Sequence, residues 1–152
     1  LIEAGVTFVT IRVGSWDDHN KIADRMISKG PAYDQALAAL VNDLHERGMD
    51  RDVLVVSMGE FGRTPRINKN AGRDHWGRLM SVLMAGGGLR VGQVIGSSSP
   101  KGEEPKDNPY RPENVLATVY RHLGIAPETT IDDLSGRPRF LLEDRKLIRE
   151  LI

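Results

Sequence analysis

Two strand-sized apolar runs on either side of one helical pattern constrain this chain more than any other feature. Residues 6–13 (Val-Thr-Phe-Val-Thr-Ile-Arg-Val) are β-branched or aromatic and mostly apolar, and they stop at Gly14-Ser15. That is the pattern of a largely buried strand in a parallel or mixed sheet. From Pro31 to Arg47 the apolar residues Tyr33, Leu37, Leu40, Val41 and Leu44 recur at helical spacing, with Pro31 suited to a first turn and Gly48 to a stop. Residues 52–58 (Asp-Val-Leu-Val-Val-Ser-Met) are a second buried run. Residues 6–58 therefore predict a strand–helix–strand unit, which is right-handed and parallel in nearly all known folds. The expected fold class is α/β, a mixed, mainly parallel sheet with flanking helices, built as one domain over residues 1–152.

Further along, residues 79–85 predict a third strand closed by Gly86-Gly-Gly88, and Gln93-Val-Ile95 a short strand-like piece. The Ser/Pro/Gly/Lys/Glu-rich stretch 97–109 reads as a surface loop. Pro112 opens a second helix with Val115, Leu116, Val119, Tyr120 and Leu123 on one face, and Gly124 ends it. The tail has apolar residues without a clear period.

Composition narrows the chemistry. A chain of 152 residues, 39% hydrophobic and 28% charged, has the balance of an ordinary globular domain. It has no cysteine, which removes disulfides, thiolate metal sites and cysteine nucleophiles, so any metal must sit on His, Asp or Glu. Lys plus Arg and Asp plus Glu both number 21, leaving no net field to draw nucleic acid or an anionic membrane surface. No apolar run approaches the roughly 18 residues of a membrane span.

In a parallel unit the loops leaving the strand ends share one edge, where open α/β sheets bind ligands. Asp17, Asp18 and His19 follow the first run and Glu60 the second. The loop 59–78 then carries His75 to the start of the third, on the same edge if that strand is antiparallel to its predecessor. Mixed nitrogen and oxygen donors of this kind suit a divalent metal. Asp18 or Asp74 would then orient an imidazole, with Arg73 alongside. Arg63, after Phe61-Gly62, is either a clamp for a tetrahedral oxyanion or a solvated loop residue. Trp16 and Trp76 either wall the site or fill the seam between loop and sheet. His45 and His122 fall on helices and read as surface residues, and Gly86-Gly-Gly88 lacks the Lys and spacing of a phosphate loop.

Several motifs carry a family resemblance: Trp16-Asp-Asp-His19, Asp43-Leu-His-Glu-Arg-Gly48, Met58-Gly-Glu-Phe-Gly-Arg-Thr-Pro65, Gly72-Arg-Asp-His-Trp76, Ala85-Gly-Gly-Gly-Leu-Arg-Val-Gly-Gln-Val-Ile-Gly96 and Asn114-Val-Leu-Ala-Thr-Val-Tyr-Arg-His-Leu-Gly124. They closely resemble the domain-of-unknown-function 1501 family, which looks like a divergent branch of the alkaline phosphatase and sulfatase superfamily. The resemblance implies an alkaline phosphatase-like fold and a metal-dependent hydrolase of phosphate or sulfate esters. A silent scaffold kept for binding or assembly is the alternative. It implies Asp17, His19, Glu60 and His75 as ligands of a zinc, calcium, magnesium or manganese ion, and Arg63 on the anionic group of a small-molecule or polysaccharide ester. The Asp17–His19 spacing and the Glu60-Phe61 pair depart from the superfamily pattern, which points to an altered or single-metal site. The superfamily's nucleophile and an early Asp ligand have no counterpart here. The expectation is a missing amino-terminal half before Leu1, and export from the cytoplasm.

Overall fold

The computed structural model describes residues 1–152. Its elements, in chain order, are α1 (Ile22–Glu46), β1 (Leu54–Ser57), β2 (Gly62–Arg63), β3 (His75–Trp76), β4 (Leu83–Gly86), α2 (Pro112–His122), β5 (Thr130–Asp132) and β6 (Pro138–Phe140), with one-turn 3-10 helices at Ile2–Ala4 and Arg149–Leu151.

The mainly parallel, alkaline phosphatase-like sheet expected from the sequence does not form. Three separate two-stranded antiparallel ladders stand in its place: β1 with β4, β2 with β3, and β5 with β6. Residues 6–13 belong to no strand and are exposed throughout, and no backbone hydrogen bond reaches Thr7–Val13. β-branched residues favour extended backbone, but a strand also needs an edge to pair with. β4 takes one side of β1, and residues 6–13 do not join the other. Gln93–Ile95 is likewise outside any strand, and the third strand is shorter than expected.

The first helix begins nine residues before Pro31, which lies inside it. Partly buried positions explain the extension, because Ile22, Met26, Lys29, Tyr33, Leu37, Val41 and the buried Leu44 form one stripe running through the proline. That stripe meets the β1–β4 ladder, where Val41, Leu44, Val55 and Ala85 border a small void of about 20 Å³. β1 and β4 run in the register Leu54↔Gly86 to Ser57↔Leu83. The chain segment between them therefore leaves and returns at the same end of the ladder.

α2 starts as expected. Asn114 Oδ1 accepts the Arg111 N–H at 2.7 Å, and Pro112 occupies the first turn, where its missing N–H costs nothing. Its buried face is Asn114, Val115, Ala117 and Thr118, while Leu116 is exposed. The tail completes the small core, in which Val115, Ile148 and Leu151 pack with Val82, Met84, Leu89, Ile95 and Tyr110 around them. The buried polar groups there are all paired. Asn114 Nδ2 donates to Lys146 O at 3.0 Å, and Thr118 Oγ1 donates to Asn114 O while accepting the Ile148 N–H. No helix is long and apolar enough to cross a membrane.

Candidate metal centre

Two local constructions bring the candidate residues together. In the first, Arg63 lies directly opposite His75 in the β2–β3 ladder, and directly opposed residues share a face. Gly62 lets the chain beyond this ladder come close, since a Cβ there would clash with Leu79 O. In the second, the turn after Val13 is anchored to α1. Trp16 donates its indole N–H to Val13 O at 2.9 Å and packs edge-on against Tyr33 at 5.5 Å, whose hydroxyl meets Ser57 Oγ at 2.7 Å. Asp18 is buried against Lys29 Nζ at 2.8 Å, while its neighbour Asp17 stays exposed.

The product is a triangle of donor atoms. Asp17 Oδ1 lies 3.0 Å from His19 Nε2 and 2.9 Å from His75 Nε2, and the two Nε2 atoms are 3.2 Å apart. Tetrahedral zinc, with bonds of about 2.0–2.2 Å, holds its ligand atoms about 3.3–3.6 Å from one another. One ion about 2.1 Å from each atom fits this triangle with little adjustment and keeps a fourth position open. His19 Nδ1 is engaged by Asp74 Oδ1 at 3.0 Å. When that nitrogen carries the ring's proton, Nε2 presents a lone pair to the Asp17 oxygen, so two acceptors face each other. The arrangement calls for a second proton on His19 or a cation in the triangle.

The electrostatics favour the second proton. Asp74 raises the His19 pKa above the ordinary imidazole value, chiefly through their hydrogen bond, with the Asp17 charge adding to it. Asp17 is held below the usual carboxylate value by the His75 hydrogen bond first and Arg63 second. Asp74 is lowered likewise by His19 and then Asn68. All three groups are solvent-facing, so these fields are screened and divide protons more than they stabilise the fold.

The remaining candidates fall around this triangle. Glu60 stands outside it, with its carboxylate on Arg63 Nη2 at 3.2 Å. Arg63 also donates to Asp17 Oδ1, so its guanidinium bridges two carboxylates beside the donors, and it lies 5.3 Å from the Phe61 ring. Asp18 reaches no imidazole, being committed to Lys29 and, at 4.0 Å, Arg25. Arg73 donates to the Thr64 and Pro65 carbonyls and so braces the loop. Trp76 donates to Glu103 O at 2.7 Å and Trp16 packs on Tyr33, so both indoles fasten loops. His45 pairs with Asp50 at 2.9 Å on the surface.

Three contributors escaped the sequence reading. Lys29 neutralises buried Asp18, Phe61 packs against His75 at 4.5 Å, and Asn68 holds Asp74 at 2.9 Å. The signal nearest to any of them was the loop pattern Asn68-x-Asn-Ala-Gly72, which reads only as a turn. Among known proteins, a family described as "Protein of unknown function (DUF1501)" matches residues 1–152. No curated protein and no solved structure matches the chain.

Proposed function

Because the chain belongs to the DUF1501 family of proteins of unknown function, its chemistry has to be read from its own residues, and we propose that Asp17, His19 and His75 hold a divalent metal ion in a hydrolase of phosphate or sulfate esters. The observation that carries this reading is the donor triangle with edges of 2.9–3.2 Å. Two imidazoles and one carboxylate suit zinc better than calcium or magnesium, which prefer all-oxygen sites. The order of these residues along the chain is similar to that of the ligands of alkaline phosphatases and sulfatases, which supports ester hydrolysis over other metal chemistry.

A bound divalent ion would supply Lewis-acid polarisation of the ester oxygen. The chain's own residues divide the remaining work. Asp74 keeps a proton on His19 Nδ1, so Nε2 is free to act as a ligand. Arg63, beside the donors, offers paired N–H groups to the oxygens of a phosphate or sulfate, which would exchange for its present carboxylate partners. Glu60 holds Arg63 in place until that exchange. The open, exposed position of the cluster leaves room for a small-molecule or polysaccharide ester.

Zinc titration of the parent protein and of His19→Ala, His75→Ala and His45→Ala tests the metal reading. The first two should lose more than the roughly 10–100-fold in affinity that removing an outer partner costs, and the third should bind as the parent does. Equal affinity in all of them sinks the assignment. Zinc binding without hydrolysis of aryl phosphate or aryl sulfate would leave the silent scaffold as the better reading.

A further inference from the structure

We infer that Asn68 is a positioning residue for His19, fixing both the backbone of that residue and, through Asp74, the ring nitrogen that must carry the proton. A carboxamide has two N–H donors on one end and two acceptor lone pairs on the other, and Asn68 uses all four. Its Nδ2 donates to His19 O at 3.1 Å and to Asp74 Oδ1 at 2.9 Å. Its Oδ1 accepts the Asn70 and Gly72 N–H groups at 2.9 and 3.0 Å. Two N–H groups on one side and two oxygens on the other allow only one orientation of the amide.

The acceptor half closes the loop. Residues 68–72 are knotted further by Asn68 N–H to Gly72 O at 2.9 Å and Ala71 N–H to Asn68 O at 3.0 Å. The loop is then fastened to the start of α1, where Lys21 and Ile22 donate to Asn70 O and Ala71 O. The donor half leaves this rigid turn and grips the metal cluster. Asp74 Oδ1 is caught between Asn68 Nδ2 and His19 Nδ1, so it cannot swing away from the imidazole without breaking its bond to the loop. No other residue type reproduces this. Aspartate keeps the acceptors and loses the donors, and alanine keeps neither.

The inference rests on the metal reading for its purpose, but its test does not need a metal. In metal-free protein, at a pH where the ring is neutral, long-range proton–nitrogen NMR reports which His19 nitrogen is protonated. The parent should show the Nδ1–H form, because Asp17 Oδ1, the competing acceptor at Nε2, is already shared with Arg63 and His75. Asn68→Asp, which keeps the loop-closing bonds and sets a like charge against Asp74, should shift His19 toward the Nε2–H form. The same substitution should weaken zinc binding by about 10–100-fold with circular dichroism unchanged. In the Asp74→Ala background, Asn68→Ala should cost less zinc affinity than it does in the parent, because its path to the ring is already cut and only its bond to His19 O remains to be lost. An unaltered tautomer in Asn68→Asp, or additive losses in the double variant, overturns the inference. A tautomer shift in a parent that binds no zinc keeps Asn68 in its role and rejects the metal.

Discussion

Gly72→Ala should damage the fold and the cluster together. Gly72 is buried, and a Cβ there would lie 2.0 Å from His19 C, 2.2 Å from His19 O and 2.3 Å from Asn20 N. All three are backbone atoms, so no rotamer change relieves the clash. The two segments must separate by about 1 Å to bring the carbon beyond 3.0 Å. Overpacking of this kind costs about 1–3 kcal/mol. The separation also strains the Asn68 Nδ2 bond to His19 O at 3.1 Å and the Arg73 N–H bond to Asp18 O at 3.1 Å, each worth roughly 0.5–1.5 kcal/mol net. The sum is about 2–6 kcal/mol, which for a chain of this size lowers the melting temperature by roughly 4–24 °C. Gly77→Ala is the control, since a Cβ there meets nothing within 4 Å and its φ is not positive. Thermal melts of both variants, with zinc titrations beside them, make the comparison. A Gly72→Ala protein that melts and binds zinc as the Gly77→Ala protein does would falsify the close approach of loop 68–72 to His19.

Other outcomes follow from separate features. Gly30 lies inside α1 with open space around it and a negative φ, so Gly30→Ala should raise stability by up to about 1 kcal/mol in urea titration. His45 is raised by its hydrogen bond to Asp50, and Asp50 is lowered by His45. The histidine's contribution is therefore complete below about pH 6.5 and fades as pH rises through its higher folded value; the aspartate's is present above about pH 4 and fades as pH falls through its lower one. Melting temperatures of parent and His45→Ala should differ most near pH 5 and converge toward alkaline and strongly acidic pH. In protein that hydrolyses an aryl phosphate or sulfate, Arg63→Lys should cut turnover about 10²–10³-fold, the usual cost of one lost oxyanion donor. Arg66→Lys should change it little.

The helices were legible because their signals are local. Pro112 and Gly124 bracket α2, and the stripe from Tyr33 to Leu44 lies within α1. Pro31 suits a first turn and so suggests a boundary, but the stripe continues through it to Ile22. Strand pairing was not legible at 6–13, because eight suitable residues say nothing of the neighbour they lack. The β5–β6 hairpin was missed for the opposite reason: Asp133-x-x-Gly136 marks its turn, but the flanking residues are exposed and carry no apolar alternation. Residue type and order single out Asp17, His19 and His75, whose donor atoms do come together, and Arg63 is singled out by its place after Gly62. Asn68 reaches the cluster through partners 6 and 49 positions away and Lys29 holds Asp18 across 11 positions, and nothing local in the sequence records those distances.

The bare run from Thr7 to Val13 marks where the chain should yield first to a protease. An exposed backbone without backbone–backbone hydrogen bonds, held only where Val13 O accepts the Trp16 indole N–H, can enter a protease cleft without unfolding anything else, and its amides should exchange with solvent far faster than those of β1. Arg12 stands near the end of that run, a trypsin site whose own backbone makes no backbone–backbone hydrogen bond. Brief digestion should therefore release a fragment starting at Val13. That fragment keeps Trp16, Asp17, Asp18 and His19, tied down by Lys29 and by the bond from Arg73 N–H to Asp18 O. The nicked protein then offers a practical handle: zinc binding that survives the cut assigns the cluster to the remainder of the chain.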